Sequence, residues 1–250
     1  MTETESGFYL KTTDAQKRIY GTLSQSENPI GSLVIFAHGL TGNPFEHLHM
    51  VARSEMLDHG YDVCQFWFYG FEPDARKLHE CTLDIHAKDL QSVISHFKQD
   101  YENIFVAGHS YGGLTTLICN SPDLVAVSLW DPSFKPDRSQ GLLAEIPEFD
   151  GYLYDGHYYG LIGKEMVREA QQISTQRWEE IAQAFKTPCQ LVLADPGKTF
   201  IRNDLKDHLT MDLLKIETIQ GADHCFLENS TAPVLARQTR EWFDRFHGVS

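Results

Sequence analysis

The sequence has little of what several broad classes of protein require. Lys and Arg number 21 against 35 Asp and Glu, which gives a formal net charge of −14 with His neutral. Nucleic-acid binding depends on clustered basic side chains, so this balance argues against a nucleic-acid partner. No run of residues approaches the roughly 20 apolar positions that cross a bilayer, and we expect no membrane span.

The sequence also lacks the marks of secretion and of a cysteine-based metal or redox site. Residues 1–7, MTETESG, are acidic and polar, which predicts that no signal peptide is present. The five cysteines are an odd number and include no CxxC pair, so buried free thiols in a reducing compartment explain them most simply. We therefore expect a cytoplasmic location, and neither a metal ion nor an organic cofactor is implied.

The order of apolar and amphipathic segments predicts an α/β protein. The length of 250 residues, with 42% hydrophobic and 22% charged residues, suits one large domain. Two short strands around a polar turn at 12–16 are expected to form an antiparallel edge. The later strand-like runs are GSLVIFAHG, YDVCQFWFYG, NIFVAG, LVAVSLW, CQLVLA and LLKIETI. Helical spacing falls between them, at about 44–59, 82–100, 111–120 and 232–246, which is typical of a mainly parallel sheet.

This alternation is interrupted between the strands LVAVSLW and CQLVLA. The segment holds FDGYLYDGHYYGLIG and then one helix-like run over 164–185, and it is too long for a simple crossover loop. Asp155-Gly156, flanked by tyrosines, is typical of a two-residue hairpin turn. We predict an inserted cap that covers the sheet. The predicted division is 1–130 and 189–250 for the core and 131–188 for the cap.

The stretch VAGHSYGGL, residues 106–114, places Ser110 between two glycines after a strand and before a helix. Gly-x-Ser-x-Gly in that position is typical of a nucleophile elbow. The turn is so sharp that bulky side chains at Gly108 or Gly112 would collide, and it raises the hydroxyl above the carboxyl ends of the strands. Glycine and serine also mark ordinary turns, but the strand and the helix around this motif favour a nucleophile.

Two further motifs, FAHGLTG after an earlier strand and QGADHCF after the last one, make the pattern specific. With them, the chain resembles the α/β-hydrolases, the serine hydrolases of the esterase and lipase type, over nearly its whole length. The similarity is greatest to small cinnamoyl and feruloyl esterases, which also carry an insertion between the corresponding strands. The resemblance implies the α/β-hydrolase fold: a mostly parallel central sheet, helices on both faces and a cap inserted between the sixth and seventh strands.

The resemblance also implies roles for particular residues. The family order of nucleophile, acid and histidine fits Ser110 and His224, and His224 would take the serine proton and return it to the leaving group. An oxyanion hole would be formed by the backbone N–H groups of Leu40 and Tyr111. His109 is expected to pack or to form a hydrogen bond in a structural role.

The acid that orients the histidine has two candidates. Most of the family carries it in the loop after the strand read here as CQLVLA, where a count without gaps reaches Lys198, which cannot act as an anion. Asp195 lies three residues earlier and would serve if the loop were shorter. A second family arrangement places the acid after the preceding strand, at Asp131, although Asp131 and Pro132 could also start a simple turn. We favour Asp131 and keep Asp195 as the alternative.

The expected reaction is acyl transfer from a small-molecule carboxylic ester to water, through an acyl-enzyme on Ser110. Phe134 and the cap tyrosines Tyr152, Tyr154 and Tyr158 could line an apolar pocket for aryl or medium-chain acyl groups. These tyrosines could equally belong to a packed surface hairpin. Acyl-thioesterase or amidase activity with the same residues is an alternative, and so is a ligand-binding protein without turnover.

Overall fold

A central sheet of eight strands organises the chain. The computed structural model describes residues 4–12, 16–134, 142–155, 159–173, 175–199, 201, 204–228 and 230–247. The strands of the sheet are β1 (Thr4–Lys11), β2 (Arg18–Gln25), β3 (Ser32–Ala37), β4 (Asp62–Phe66), β5 (Asn103–His109), β6 (Ala126–Trp130), β10 (Cys189–Leu193) and β11 (Leu214–Thr218). Their order is β1-β2-β4-β3-β5-β6-β10-β11. The pairings from β4 to β11 are parallel, whereas β2 is antiparallel to both β1 and β4, so the expected sheet and its antiparallel edge are confirmed.

Strand β3 is apolar from Leu33 to Ala37, as expected for a strand that is covered on both faces. In β3, Leu33 and Ile35 point into one hydrophobic cluster, and Val34 and Phe36 point into the other. Every residue of β3 is buried. Side chains alternate between the two faces of a strand, so a continuous apolar run is what a strand between two helical layers requires.

Six helices accompany the strands in the described part of the chain. They are α1 (His47–Asp58), α2 (Leu83–Phe97), α3 (Tyr111–Cys119), α4 (Lys164–Gln172), α5 (Thr175–Ala184) and α6 (Thr231–Phe243). Helices α1 and α6 contact each other on one face of the sheet, and α2 and α3 contact each other on the opposite face. The expected helices on both faces are therefore confirmed, and each end lies within three residues of the predicted one. None of the helices in the described ranges has the length and apolar character needed to cross a membrane.

The insertion lies between β6 and β10, which are the sixth and seventh strands of the central sheet along the chain. It contains a separate antiparallel sheet of β7 (Leu143–Ile146), β8 (Gly151–Asp155) and β9 (Tyr159–Gly163), followed by α4 and α5. Strand β9 packs closely on the core: a Cβ atom added to Gly160 would lie 2.5 Å from Cγ2 of Thr41. The insertion therefore reaches the loop that follows β3.

Two details predicted for the insertion are wrong. The single helix over 164–185 is two helices, because Ile173 leaves helical geometry (φ −75°, ψ 72°) and buries its side chain in the core. The two-residue turn at Asp155-Gly156 is also wrong, because Asp155 is still within β8 and pairs with Tyr159. Three residues therefore separate the strands, and they lie outside the described residues.

All five cysteines carry free thiols, and all but Cys119 are buried. Burial raises the pKa of the Cys119 thiol to about 12 and that of Cys225 to about 12. Removal of a thiol from water disfavours the thiolate, so these side chains act as small apolar groups in the packing.

Four histidines are almost completely buried: His38, His49, His86 and His109. The loss of hydration lowers the pKa of His38 to about 4 and that of His49 to about 3. Burial also lowers the pKa values of His86 and His109 well below the usual 6.5. All four imidazoles are therefore neutral in the folded protein at neutral pH.

These histidines predict that the protein loses stability as the pH falls below about 6.5. There the unfolded chain binds protons that the folded protein excludes, at a cost of about 1.4 kcal/mol per pH unit for each histidine. Burial raises the pKa of Glu46 to about 7, so the folded protein binds a proton there before the unfolded chain does. This gain in stability on acidification offsets the loss caused by one histidine. Urea unfolding at a series of pH values measures the slope. The variant His86→Leu should give a shallower slope than wild type, and equal slopes would contradict this account.

Candidate active site

Ser110 occupies the turn between β5 and α3 with a backbone conformation that is rare for a non-glycine residue, φ 54° and ψ −116°. Its N–H donates to the Trp130 carbonyl oxygen at 2.9 Å, and its own carbonyl oxygen accepts from the Ser133 N–H at 3.0 Å. The turn is thus bonded to the end of β6 in both directions. Such fixed, strained turns persist where the surroundings determine them, and they are concentrated at functional sites.

The two glycines of the motif allow this turn to form against β3. A Cβ atom on Gly108 would lie 2.8 Å from the carbonyl oxygen of Gly112. A Cβ atom on Gly112 would lie only 2.0 Å from the carbonyl oxygen of Ala37. Both obstructing atoms belong to the backbone, so no side-chain rotation can make room for a larger residue.

The variant Gly112→Ala is therefore expected to lower the free energy of unfolding by at least about 2 kcal/mol, because the added methyl group forces α3 away from β3. The matched control is Gly7→Ala in β1, where the nearest backbone oxygen is 4.0 Å from the added Cβ atom. That change is expected to stay within about 0.5 kcal/mol of wild type. Urea unfolding measures both values, and equal stability of the two variants would contradict the close approach.

Asp131 directly follows β6 and is fully buried. Its backbone is left-handed (φ 37°), and its N–H donates to the Val192 carbonyl oxygen at 2.8 Å. Its Oδ1 accepts from the Ala194 N–H at 3.2 Å, and its Oδ2 accepts from the Thr199 hydroxyl at 2.7 Å. A buried carboxylate requires such donors, because the burial of a polar group without hydrogen bonds costs free energy.

His224 lies in the loop after β11 and connects the other two residues. Its Nδ1 is 2.6 Å from Asp131 Oδ2, and its Nε2 is 2.9 Å from Ser110 Oγ. A carboxylate can only accept, so Nδ1 carries the hydrogen and the lone pair on Nε2 accepts the serine hydroxyl. The structure thus brings Ser110, His224 and Asp131 into one continuous chain of hydrogen bonds.

Asp195, the alternative acid, has a different set of partners. Its Oδ2 accepts from the Gly221 N–H at 2.8 Å, and its Oδ1 accepts from the Gly197 N–H at 2.8 Å. These two hydrogen bonds lower the pKa of its carboxyl group. Asp195 therefore connects the loop after β10 to the loop that carries His224, while Nδ1 of His224 faces Asp131.

The loop after β3 runs beside the serine, as the expected oxyanion hole requires. A Cβ atom on Gly39 would lie 3.2 Å from Cβ of Ser110, so the residue that precedes Leu40 lies against the serine. Tyr111 is the first residue of α3, where backbone N–H groups have no partner within the helix. The backbone N–H of Tyr111 thus directly follows Ser110 in the chain, and the loop that carries Leu40 runs beside it.

Two side chains form hydrogen bonds with backbone carbonyl groups of this loop. His38 donates from Nδ1 to the Gly39 carbonyl oxygen at 2.9 Å, and its Nε2 accepts from the Phe68 N–H at 3.2 Å. The Tyr69 hydroxyl donates to the Gly42 carbonyl oxygen at 3.0 Å. The carbonyl groups of Gly39 and Gly42 thus have fixed hydrogen-bond donors, which restrict the orientation of these peptides.

The predicted pocket residues occupy different environments. Phe134 is fully buried, with its ring centroid 4.4 Å from that of Trp178, and Tyr154 is a buried member of the same hydrophobic cluster. Both are core residues in this structure. Tyr152 is half-buried in β8, and Tyr158 lies outside the described residues.

Sequence reasoning missed two contributors to the site. Thr199 lies six residues beyond β10, and its contact with Asp131 depends on a loop path that no local pattern indicates. Tyr69 follows an aromatic run that predicts a strand but not the partner of its hydroxyl. In the described ranges, no three or more His, Cys, Asp or Glu side chains are grouped so as to hold a metal ion.

The fold and the arrangement at its carboxyl edge define a known class of protein. Residues 34–238 match the model of the Alpha/beta hydrolase family, and the chain belongs to that family.

Solved structures share the fold over nearly the whole chain. Est1E from Butyrivibrio proteoclasticus, with ferulic acid bound, superimposes with a TM-score of 0.79 at 21% identity, covering 96% of this chain and 98% of that one. The esterase domain of a Rhodothermus marinus protein gives a TM-score of 0.74 at 17% identity, covering 98% and 100%. These likenesses confirm the predicted fold class.

A curated relative matches over a shorter stretch. Methylesterase 8 of Arabidopsis thaliana is 26% identical over 126 residues, which are 50% of this chain and 46% of that protein. The chain thus aligns with about half the length of this relative.

Proposed function

We propose that this protein is a serine hydrolase that cleaves carboxylic esters through an acyl-enzyme on Ser110. The observation that carries the proposal is the hydrogen-bonded chain from the Ser110 hydroxyl through His224 to the buried Asp131. A nucleophile, a base within hydrogen-bond distance of it and a third group that orients the base make up the arrangement that activates a serine.

The first half of the proposed reaction forms the acyl-enzyme. Ser110 Oγ attacks the ester carbonyl carbon while its proton passes to Nε2 of His224, and the carbonyl oxygen becomes an oxyanion. Asp131 stabilises the imidazolium that forms and holds it in the required orientation. The tetrahedral intermediate then collapses, and the leaving alcohol takes the proton from His224.

The second half releases the acid. A water molecule transfers a proton to Nε2 of His224 and attacks the acyl carbon, and the collapse of the second tetrahedral intermediate returns that proton to Ser110 Oγ. In both halves the oxyanion would accept from the N–H groups of Leu40 and Tyr111. The N-terminus of the nine-residue helix α3 adds a favourable dipole at the same point.

We propose small-molecule carboxylic esters as the substrate class. Supporting this choice, the structures of similar fold include Est1E with ferulic acid bound and an esterase domain, and the curated relative is a methylesterase. Ferulic acid is an aromatic acid, so aryl-substituted acyl esters should be tested first. Medium-chain esters, thioesters and amides complete the panel, since the same residues could act on them.

A fluorophosphonate probe tests the proposal directly, because it reacts covalently with an activated serine. Wild type should be labelled, whereas Ser110→Ala should not. The matched control is Ser54→Ala on the surface of α1, which should be labelled like wild type. No labelling of wild type, together with no turnover of the panel, would favour a ligand-binding protein. Labelling that persists in Ser110→Ala would place the nucleophile elsewhere.

A further inference from the structure

His109 precedes Ser110 in the chain, and its side chain extends from the elbow to the loop that carries His224. Its Nε2 is 2.9 Å from the backbone carbonyl oxygen of His224. The two imidazole rings also pack together, with centroids 4.8 Å apart and planes inclined by 38°. A carbonyl oxygen only accepts hydrogen bonds, so Nε2 of His109 carries the hydrogen and donates it.

The opposite side of the His109 ring faces the loop after β3. A Cβ atom on Gly39 would lie 3.3 Å from Nδ1 of His109. This nitrogen has no hydrogen-bond partner among the described residues. The ring therefore fills the space between the loop of the expected oxyanion hole and the loop of the expected base, and it bonds to the second of them.

The chemical state of His109 suits a permanent donor. Burial lowers its pKa well below the usual value, and the neighbouring imidazoles of His224, His49 and His38 lower it further. A neutral ring that carries its hydrogen on Nε2 can only donate at that nitrogen. The bond to the carbonyl group of His224 is therefore made by a neutral ring at neutral pH.

Asp195 also bonds to this loop, at residues that precede His224. Asp195 accepts from the Gly221 N–H and donates its own N–H to the Ala222 carbonyl oxygen at 2.9 Å. Those bonds hold the start of the loop and Asp131 holds the imidazole of His224, whereas the bond from His109 holds the backbone of His224. Displacement of a catalytic group by about 1 Å can cost about 100-fold in rate, so the position of the His224 backbone matters.

We infer that His109 is a positioning residue that fixes the distance between the base and the nucleophile. Because His109 and Ser110 are consecutive, one peptide unit joins the serine to the group that holds the backbone of His224. The inference rests on the proposed function, in which His224 takes the proton of Ser110. It adds a role for a side chain that does not touch the substrate.

Two isosteric substitutions test the hydrogen bond. In His109→Gln, the amide nitrogen can occupy the place of Nε2 and donate to the same carbonyl oxygen. In His109→Asn, the shorter side chain reaches only the place of Nδ1 and loses that bond. We expect His109→Asn to lower kcat for an aryl ester by about 10- to 100-fold with KM within about twofold, and His109→Gln to restore most of kcat. A merely structural role would not produce this split.

The control is His86→Leu, which also removes a buried imidazole but one whose ring nitrogens have no hydrogen-bond partner among the described residues. Its kcat should stay within about threefold of wild type. Thermal unfolding checks that each variant is folded before its kinetics are measured.

The outcomes separate this inference from the proposed function. Wild type that neither reacts with the fluorophosphonate nor turns over any ester would refute the proposed function itself. If wild type is active, two results would overturn the role of His109 alone. One is a folded His109→Asn variant with unchanged kcat, and the other is an equal loss of kcat in His109→Asn and His109→Gln. If only His109→Gln folds, a kcat close to that of wild type supports the positioning role of His109, and a large loss of kcat overturns it. Failure of both variants to fold would assign His109 to folding instead.

Discussion

Replacement of Ser110 with alanine is expected to lower kcat for ester hydrolysis by about 10⁶-fold. The methyl group cannot attack the carbonyl carbon, so His224 and Asp131 have no hydroxyl to activate and the covalent route is lost. The remaining rate should still exceed that of the reaction in water by about 10³-fold, because the oxyanion donors and the binding surface stay in place. Release of an aryl alcohol, followed by absorbance, measures both rates.

The same substitution should leave the fold intact. Ser110 is held by its backbone N–H and carbonyl groups, which alanine keeps, and among the residues that the structure describes its hydroxyl bonds only to His224. A native circular dichroism spectrum and an unfolding midpoint close to that of wild type serve as the control. If a folded Ser110→Ala variant kept more than about one hundredth of the wild-type kcat, the acyl-enzyme mechanism would be excluded.

The second large effect is expected at Asp131. The variant Asp131→Asn should lower kcat by about 10⁴-fold, because an amide that turns its NH₂ group toward His224 stabilises the wrong tautomer of the imidazole. Nε2 would then carry the hydrogen and could not accept the proton of Ser110. The carboxylate and the amide have nearly the same shape, so the cost lies in the hydrogen-bond pattern around the buried group.

The matched control for this prediction is Asp195→Asn. Its carboxylate accepts from Gly221 and Gly197, and an amide oxygen can keep one of these bonds, so kcat should fall by only a few-fold. Kinetics of both variants at one pH with the same aryl ester give the comparison. The reverse order of losses would make Asp195 the acid, and equal large losses would mean that the loop joining the two sites matters as much as the carboxylate.

Much of the fold could be predicted because the decisive patterns are local. The run at Leu33–Ala37 is apolar at every position, which indicates a strand covered on both faces, and Gly-x-Ser-x-Gly after a strand indicates the sharp turn at Ser110. These patterns depend on residues within about ten positions of one another. Both patterns could therefore be recognised without knowledge of the tertiary structure.

The details that could not be predicted depend on contacts between distant segments. The choice between Asp131 and Asp195 depended on where the loop after β10 runs, and that path is set by bonds such as the one from Thr199 to Asp131. The assignment of Phe134 to a pocket used its aromatic character, which suits a core position equally well, and the ring packs against Trp178. Composition alone does not separate these two environments.

The position of Asp131 has a consequence for how the chain tolerates change. Strands β5 and β6 pair so that His109 lies opposite Trp130, and Ser110 and Asp131 are the next residue on each. The separation of the two side chains is thus fixed by a strand ladder and not by the long connection between β10 and β11. Extra residues could therefore be grafted at the exposed Asp207 in that connection, and the spacing of hydroxyl and carboxylate would not change.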